Sequence, residues 1–410
     1  MGTPRRIAIV THDCVVPTGV ESIALWLRDR LASTGDYDVD LHYLATSSRD
    51  GRSRRVVAPP SWVRRSLTDG HGAGRGEYRW GVNAVELEFM RYRPRRELTR
   101  ALAGYDVVQL IVGSPVWGLT TAGAGVPVVM QVATRVGWER PVQLAGQPLL
   151  PRTWRRAMTA LVSRREVPGL RAADTVLVEN EAMLRWATSL GHPSVRKAIP
   201  GVDTERFSPG PFGHRPDGYL LSVCRLGDPR KGLGRLVDAY AELTRRRPTV
   251  PPLVIAGHTE PPRELREHIG RLGLDTRISI MTDVPQGDLV DLYRGASVFV
   301  QSSWEEGLGV SAIEAMACGL PVVATETAGS RETVAHGDNG WLVPQHPPAG
   351  VPAALADATL RVLADGYDGF CARSRARCER LFSSAVALRH FLDAYDELLA
   401  GRTQVVRAAR

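Results

Sequence analysis

Residues 297–324 read SVFVQSSWEEGLGVSAIEAMACGLPVVA. Ser297–Gln301 is an apolar run of strand length, Ser303–Gly309 a glycine-containing loop, Gly309–Cys318 a helix-length segment and Pro321–Ala324 a second apolar run. Strand, loop, helix and strand in that order make a βαβ unit, with parallel strands and a right-handed crossover. Working outward, strands are expected at Tyr219–Cys224, Leu253–Ala256 and Arg277–Met281, separated by helices over Leu233–Arg247, Arg263–Leu272 and Gln286–Gly295. The same alternation runs through the first half, with strands at Arg6–Val10, Val39–Ala45, Val107–Val112, Pro127–Val132 and Ala173–Glu179. Helices are expected there at Val20–Thr34, Thr153–Arg165 and Glu181–Leu190. Residues 47–80 are rich in Ser, Arg and Gly and show no periodicity.

The pattern restarts after Ile199-Pro200-Gly201-Val202-Asp203, which marks the hinge. The expected architecture is α/β: two Rossmann-like, doubly wound domains facing a central cleft. They cover residues 1–203 and 204–385, with 386–410 as a C-terminal helix and tail.

Composition excludes several classes. Of 410 residues, 43% are hydrophobic and 23% charged, as in ordinary globular proteins and unlike disordered chains. Five cysteines without a CxxC pair suggest neither a disulfide framework nor a structural zinc site, and a reduced, cytoplasmic compartment fits. Val107–Met130 carries no charge, but Pro115, Pro127 and its glycines make it two buried strands around a connection rather than a membrane span. Arg5-Arg6 precedes too short an apolar run for a signal peptide. The net charge of +8 is concentrated in the first half. An anionic substrate or carrier, an acidic membrane and a plain solvated surface compete to explain it; nucleic acid is disfavoured for want of a recognisable motif. Of 52 basic residues only Lys197 and Lys231 are lysines.

Ligands of doubly wound folds bind at the carboxyl ends of strands, so the loops there are where phosphate chemistry is expected. After Tyr219–Cys224 comes Arg225-Leu-Gly-Asp-Pro-Arg-Lys231-Gly232. Arg225 offers a fork for phosphate oxygens, Lys231 a compact charge and Gly232 close backbone approach. The bland alternative is an exposed loop with ordinary basic side chains. In the loop after Gln301, Gly307 and Gly309 leave backbone N–H groups where a helix begins, a natural anion site. Glu306 and Glu314 would repel phosphate and are better suited to accepting hydrogen bonds from sugar and ribose hydroxyls.

These residues resemble the retaining glycosyltransferases of family four, which have the GT-B fold. The segment Arg277–Val343, with its E-x7-E spacing from Glu306 to Glu314, carries the resemblance, together with Arg225, Lys231 and residues 199–203. It is strong over residues 199–343, moderate over the first 45 and weak from 46 to 170. It implies an acceptor-binding N-terminal domain and a C-terminal domain that binds a nucleotide-sugar donor, with UDP the commonest nucleotide. Arg225 and Lys231 would bind the donor diphosphate, assisted by backbone at Gly309 and Val310. Glu306 would contact sugar hydroxyls, Glu314 the ribose, backbone near Val284 the base, and Gly19 the phosphates from the other domain.

The chain departs from the family pattern at three points. Leu308 replaces the usual phenylalanine, Thr18 or Val20 replaces a glycine beside Gly19, and Ala133-Thr134 stands where a histidine is common. His12, in the loop after the first strand, is the candidate substitute near the acceptor, beside the reading of an incidental loop histidine.

The implied activity is transfer of a sugar to a small-molecule hydroxyl, such as an aminocyclitol or other secondary-metabolite core, with retention and without metal or cofactor. Asp36-Tyr37-Asp38 reads as a turn rather than as an Asp-x-Asp pair that holds a metal. Two alternatives stay open. One is a membrane-peripheral enzyme acting on a lipid or polysaccharide precursor, suggested by the Trp154, Met158, Leu161 and Val162 stripe beside paired arginines. The other is a non-catalytic nucleotide-sugar-binding protein.

Overall fold

The computed structural model describes residues 3–13, 19–47, 50–63, 76–144, 148–211, 213, 215–285, 287–364 and 366–408. Its strands are β1 (Arg5–Asp13), β2 (Tyr37–Ala45), β3 (Glu77–Trp80), β4 (Val107–Val112), β5 (Val128–Val132), β6 (Thr175–Val178), β7 (Val195–Lys197), β8 (Tyr219–Val223), β9 (Leu253–Gly257), β10 (Ile278–Thr282), β11 (Ala296–Gln301), β12 (Val322–Thr325) and β13 (Gly340–Val343). They form two sheets, ordered β3-β2-β1-β4-β5-β6-β7 and β10-β9-β8-β11-β12-β13. Every strand pair in both sheets is parallel. Strands β4, β5, β6, β11 and β12 are buried along their whole length, as in VVQLIV of β4 and ASVFVQ of β11. Sheets covered on both faces by helices demand such continuous apolar runs.

The chain divides into two compact units, residues 1–200 with 388–410, and residues 201–387. The division falls at Gly201, inside the 199–203 segment where the pattern restarts, and the C-terminal segment does not stand apart. Helix Ser384–Ala408 crosses the boundary, and its Phe391, Ala394 and Tyr395 pack against Ile7, Ile9, Leu27, Leu41 and Val107 in one core of the first unit. Tyr395 Oη donates to Gln109 Oε1 at 2.8 Å, satisfying a polar side chain at the centre of β4.

Three strands escaped the sequence reading. β3 lies in the segment judged aperiodic, and β3, β7 and β13 are the outermost strands on three of the four sheet edges. Asp36-Tyr37-Asp38 runs straight into β2 instead of forming only a turn.

In both sheets the strand order reverses beside the first strand, between β1 and β4 and between β8 and β11. Those are the switch points where diverging crossovers open a crevice at the carboxyl ends.

Candidate active site

The loop after β8 is built around a short turn, Pro229–Lys231, capped by Asp228, whose Oδ1 accepts from the Arg230 backbone N–H at 3.0 Å. Leu226 is buried and ties the loop to the core of the second unit. Gly232 follows with φ +61°, and a Cβ there would stand 2.4 Å from the carbonyl oxygen of Ser302. Only glycine tolerates both the left-handed backbone and this approach of two loops.

The loop after β11 is stitched to the first. Ser302 Oγ donates to the carbonyls of Lys231 and Gly232 at 2.9 and 3.1 Å, and the Trp304 N–H donates to the Arg230 carbonyl at 2.6 Å. Arg235 Nε donates to the Ser302 carbonyl at 2.5 Å while its guanidinium lies 3.8 Å from the centre of the Trp304 ring. Gly309, at φ +89°, opens helix Val310–Ala317 and leaves the first amides of that helix free of a side-chain cap.

Two ion pairs cross between the loops. Lys231 Nζ meets Glu306 Oε2 at 2.7 Å, and Arg230 Nη1 meets Glu305 Oε2 at 3.1 Å. Glu306 Oε2 also accepts from Ser303 Oγ at 3.1 Å and Gln301 Nε2 at 3.4 Å. Burial pushes the Glu306 carboxyl up, but the Lys231 charge and hydrogen bond, with Arg230 and Ser303, outweigh it and hold the group below its ordinary value. Arg225 Nη2 lies 2.9 Å from Asp228 Oδ2. Cys224, between these charges, has its thiol pushed up to about 12 by burial.

Glu314 sits on helix Val310–Ala317 among buried Ile313, Ala315, Met316 and Ala317. Its Oε2 accepts from Tyr293 Oη at 2.7 Å. Burial raises its carboxyl to about 7 against the opposing effects of Tyr293 and Arg206, so neutral and ionised forms coexist near pH 7.

The structure thus brings Arg225, Lys231, Gly232, Glu306, Gly307 and Gly309 to adjoining loops. Leu308 is 3% exposed, and its backbone lies against Gly329, where a Cβ would stand 2.6 Å from the Leu308 Cα. Val284 lines a cavity of about 360 Å³ with Tyr219, Met281, Thr282, Pro285 and Asp288.

In the first unit, His12 lies near the end of β1 with its ring 4.6 Å from that of Trp117. Its Nε2 is out of solvent with no hydrogen-bond partner among the described residues, and burial lowers the imidazole to about 4. The ring is therefore neutral at pH 7, and its Nε2 is covered rather than presented as an open base. Gly19 begins helix Gly19–Thr34; the loop leading to it, including Thr18, lies outside the described residues. Ala133 and Thr134 follow β5, where Asn180 Nδ2 donates to the Ala133 carbonyl at 2.8 Å.

Sequence reading missed Asp228, Arg230, Glu305 and Tyr293 as site residues. Asp228 and Arg230 were visible between Arg225 and Lys231, but nothing in the order of residues tells which neighbouring cation turns inward.

Two doubly wound units of this topology, one carrying cations, carboxylates and helix amides at its switch point, define a glycosyltransferase of the GT-B class. Residues 217–365 match the family model "Glycosyl transferases group 1". A D-inositol 3-phosphate glycosyltransferase of Acidothermus cellulolyticus is 30% identical over 392 residues, covering 88% of this chain and 84% of the relative. D-inositol 3-phosphate glycosyltransferase 2 of Catenulispora acidiphila is 34% identical over 229 residues, and there the match spans about half of either chain, 50% and 53%. Among solved structures, sucrose-phosphate synthase from Thermosynechococcus elongatus aligns at TM-score 0.71 and 22% identity, over 97% of this chain and all (100%) of that one. Anabaena HepE in complex with UDP and glucose aligns at TM-score 0.65 and 17% identity, over 96% and 100%. The chain belongs to the group 1 glycosyltransferases, family four, with the GT-B fold.

Proposed function

We propose that the protein moves a sugar from a nucleoside-diphosphate sugar, UDP-linked in the first instance, to a hydroxyl of a small polyol, with retention and without a metal. The observation that carries this reading is the pairing of Lys231 with Glu306 beside Arg225 and the uncapped amides of helix Val310–Ala317, all at the β8/β11 switch point. Arg225 and Lys231 hold the diphosphate. As the bond from the anomeric carbon to the phosphate oxygen breaks, negative charge grows on the leaving group. The two cations and the Gly309 and Val310 amides stabilise it there. Glu306, released from Lys231, accepts from sugar hydroxyls, and Glu314 accepts from the ribose. Attack comes on the face the diphosphate leaves, through a short-lived oxocarbenium ion pair, and the acceptor hydroxyl gives its proton to the departing phosphate oxygen. A cyclitol or aminocyclitol acceptor is supported by the names of the inositol-phosphate relatives.

The test is incubation of purified protein with UDP-sugars and GDP-mannose, with inositols, inositol phosphates and aminocyclitols as acceptors, in the presence and absence of EDTA. The expected result is an α- or β-linked product that keeps the donor's anomeric configuration, formed equally fast with EDTA. Absence of both donor turnover and thermal stabilisation by any sugar nucleotide overturns the reading.

A second reading has its own observation. Met158 and Val162 of helix Leu149–Ser163 are buried, but Leu149, Trp154 and Leu161 are exposed beside Arg155 and Arg156. Such a face suits an acidic lipid surface and a lipid-borne acceptor. Co-sedimentation with anionic but not zwitterionic vesicles, abolished by Trp154→Ser with Leu161→Ser, would establish it; no sedimentation leaves the soluble acceptor. Among the described residues no helix is long and apolar enough to cross a membrane.

A further inference from the structure

Asp228 Oδ2 is shared by two arginines, Arg225 Nη2 at 2.9 Å and Arg230 Nη2 at 2.7 Å. The two partners are not equivalent. Arg230 Nε reaches both carboxylate oxygens, at 3.1 and 3.2 Å, and the Arg230 side chain is 9% exposed, as is Asp228. From the other side Arg230 is fastened to Glu305, itself 15% exposed. Arg225 is 41% exposed. An ion pair open to water is weak, whereas separating a buried one leaves an uncompensated charge, so Arg225 is the partner able to leave. The local set of Arg225, Arg230 and Lys231 is balanced by Asp228, Glu305 and Glu306.

We propose that Asp228 is the resident counter-ion of the phosphate site, occupying Arg225 until a nucleoside diphosphate takes its place. Arg230, anchored on Glu305, is the positioning residue that keeps Asp228 compensated and stationary when Arg225 moves. This rests on Arg225 being a diphosphate ligand, as argued above. Asp228 and Arg230 touch no donor atom in this scheme. They set how readily Arg225 is surrendered, and so how tightly the donor and the product nucleotide are held.

Three variants separate this role from simple support of the turn, with UDP and GDP as probes by calorimetry and with thermal melting to check folding. Asp228→Asn keeps the Oδ1 cap on the Arg230 N–H but removes the competing charge. Nucleotide binding is expected to tighten, by roughly threefold to tenfold. Arg230→Gln leaves Asp228 clinging to Arg225, and binding should weaken by about tenfold. In the double variant the harm of losing Arg230 disappears, because no charge is left for it to hold, and affinity returns to about the wild-type level or better. A supporting role predicts the reverse: weaker or unchanged binding in Asp228→Asn, and a double variant no better than the worse single one. That pattern overturns the proposal while the function stands. If Arg230→Gln does not fold, the direction of the Asp228→Asn change decides. Wild-type protein that binds neither nucleotide removes the function and the proposal together.

Discussion

Lys231 and Glu306 are almost equally shielded, 14% and 13% exposed, and meet at 2.7 Å. A partly buried lysine of this kind is a point charge held ready, with a carboxylate as its partner until a stronger anion arrives. Replacing Lys231 or Arg225 by alanine is expected to lower turnover by ~10²–10³ in either case, the usual cost of one stabilising donor at a developing negative charge. Wild-type turnover in either variant would remove the assignment. Glu314 gives the site a pH dependence. In the proposed role its carboxyl, raised from 4.5 to about 7, accepts ribose hydroxyls more strongly when ionised, because hydrogen bonds to a carboxylate are charge-assisted. Nucleotide affinity should therefore rise with pH between roughly 6 and 8, and Glu314→Gln should flatten the profile. Stability runs the other way. Between 4.5 and about 7 the folded chain keeps a proton that the unfolded chain has lost, so this residue's contribution to stability falls as pH rises through that window. Urea denaturation of wild type and Glu314→Gln at pH 5 and about pH 8 checks the sign.

At the level of elements, β4, β5, β8, β9, β11 and β12 were legible because strands covered on both faces must be apolar throughout. β3 and β7 were not: EYRW and VRK lie at the sheet edges, where polar side chains meet water and the apolar signal fades. Helix Leu149–Ser163 shows the complementary limit, since the sequence displayed its stripe but only packing told which half was covered. The turn at Gly232 binds the β8 and β11 loops together through Ser302. Gly232→Ala adds left-handed strain and a clash with the Ser302 carbonyl, and is expected to cost about 1–3 kcal/mol. It should also weaken nucleotide binding, because Lys231 precedes it directly. Denaturation midpoints with and without UDP measure both effects.

For the molecule as a whole, the C-terminal helix is part of the first unit's core. Ending the chain at residue 387 would bare the apolar face made by Ile7, Ile9, Leu27, Leu41 and Val107 and leave Gln109 without its tyrosine. Such a protein is expected to be insoluble or to lose the cooperative melting of the first unit. A milder probe is Tyr395→Phe, which keeps the packing but strands a fully buried amide oxygen. It should cost about 1–3 kcal/mol by urea denaturation. Wild-type stability in Tyr395→Phe would show that the Gln109 bond contributes nothing.

The sequence alone determined the parallel α/β architecture, the restart near residue 200 and the residue types of the site, because burial on both faces and phosphate chemistry leave short-range marks in residue order. Tertiary structure decided the rest: that Arg230 is buried while Arg225 stays partly exposed, that His12 is covered, that Leu308 is buried, and that Phe391, Ala394 and Tyr395 complete a core begun at Ile7. These are contacts between segments far apart in the chain. No local pattern encodes them, since a helix face or a charged side chain reads the same whatever it eventually meets.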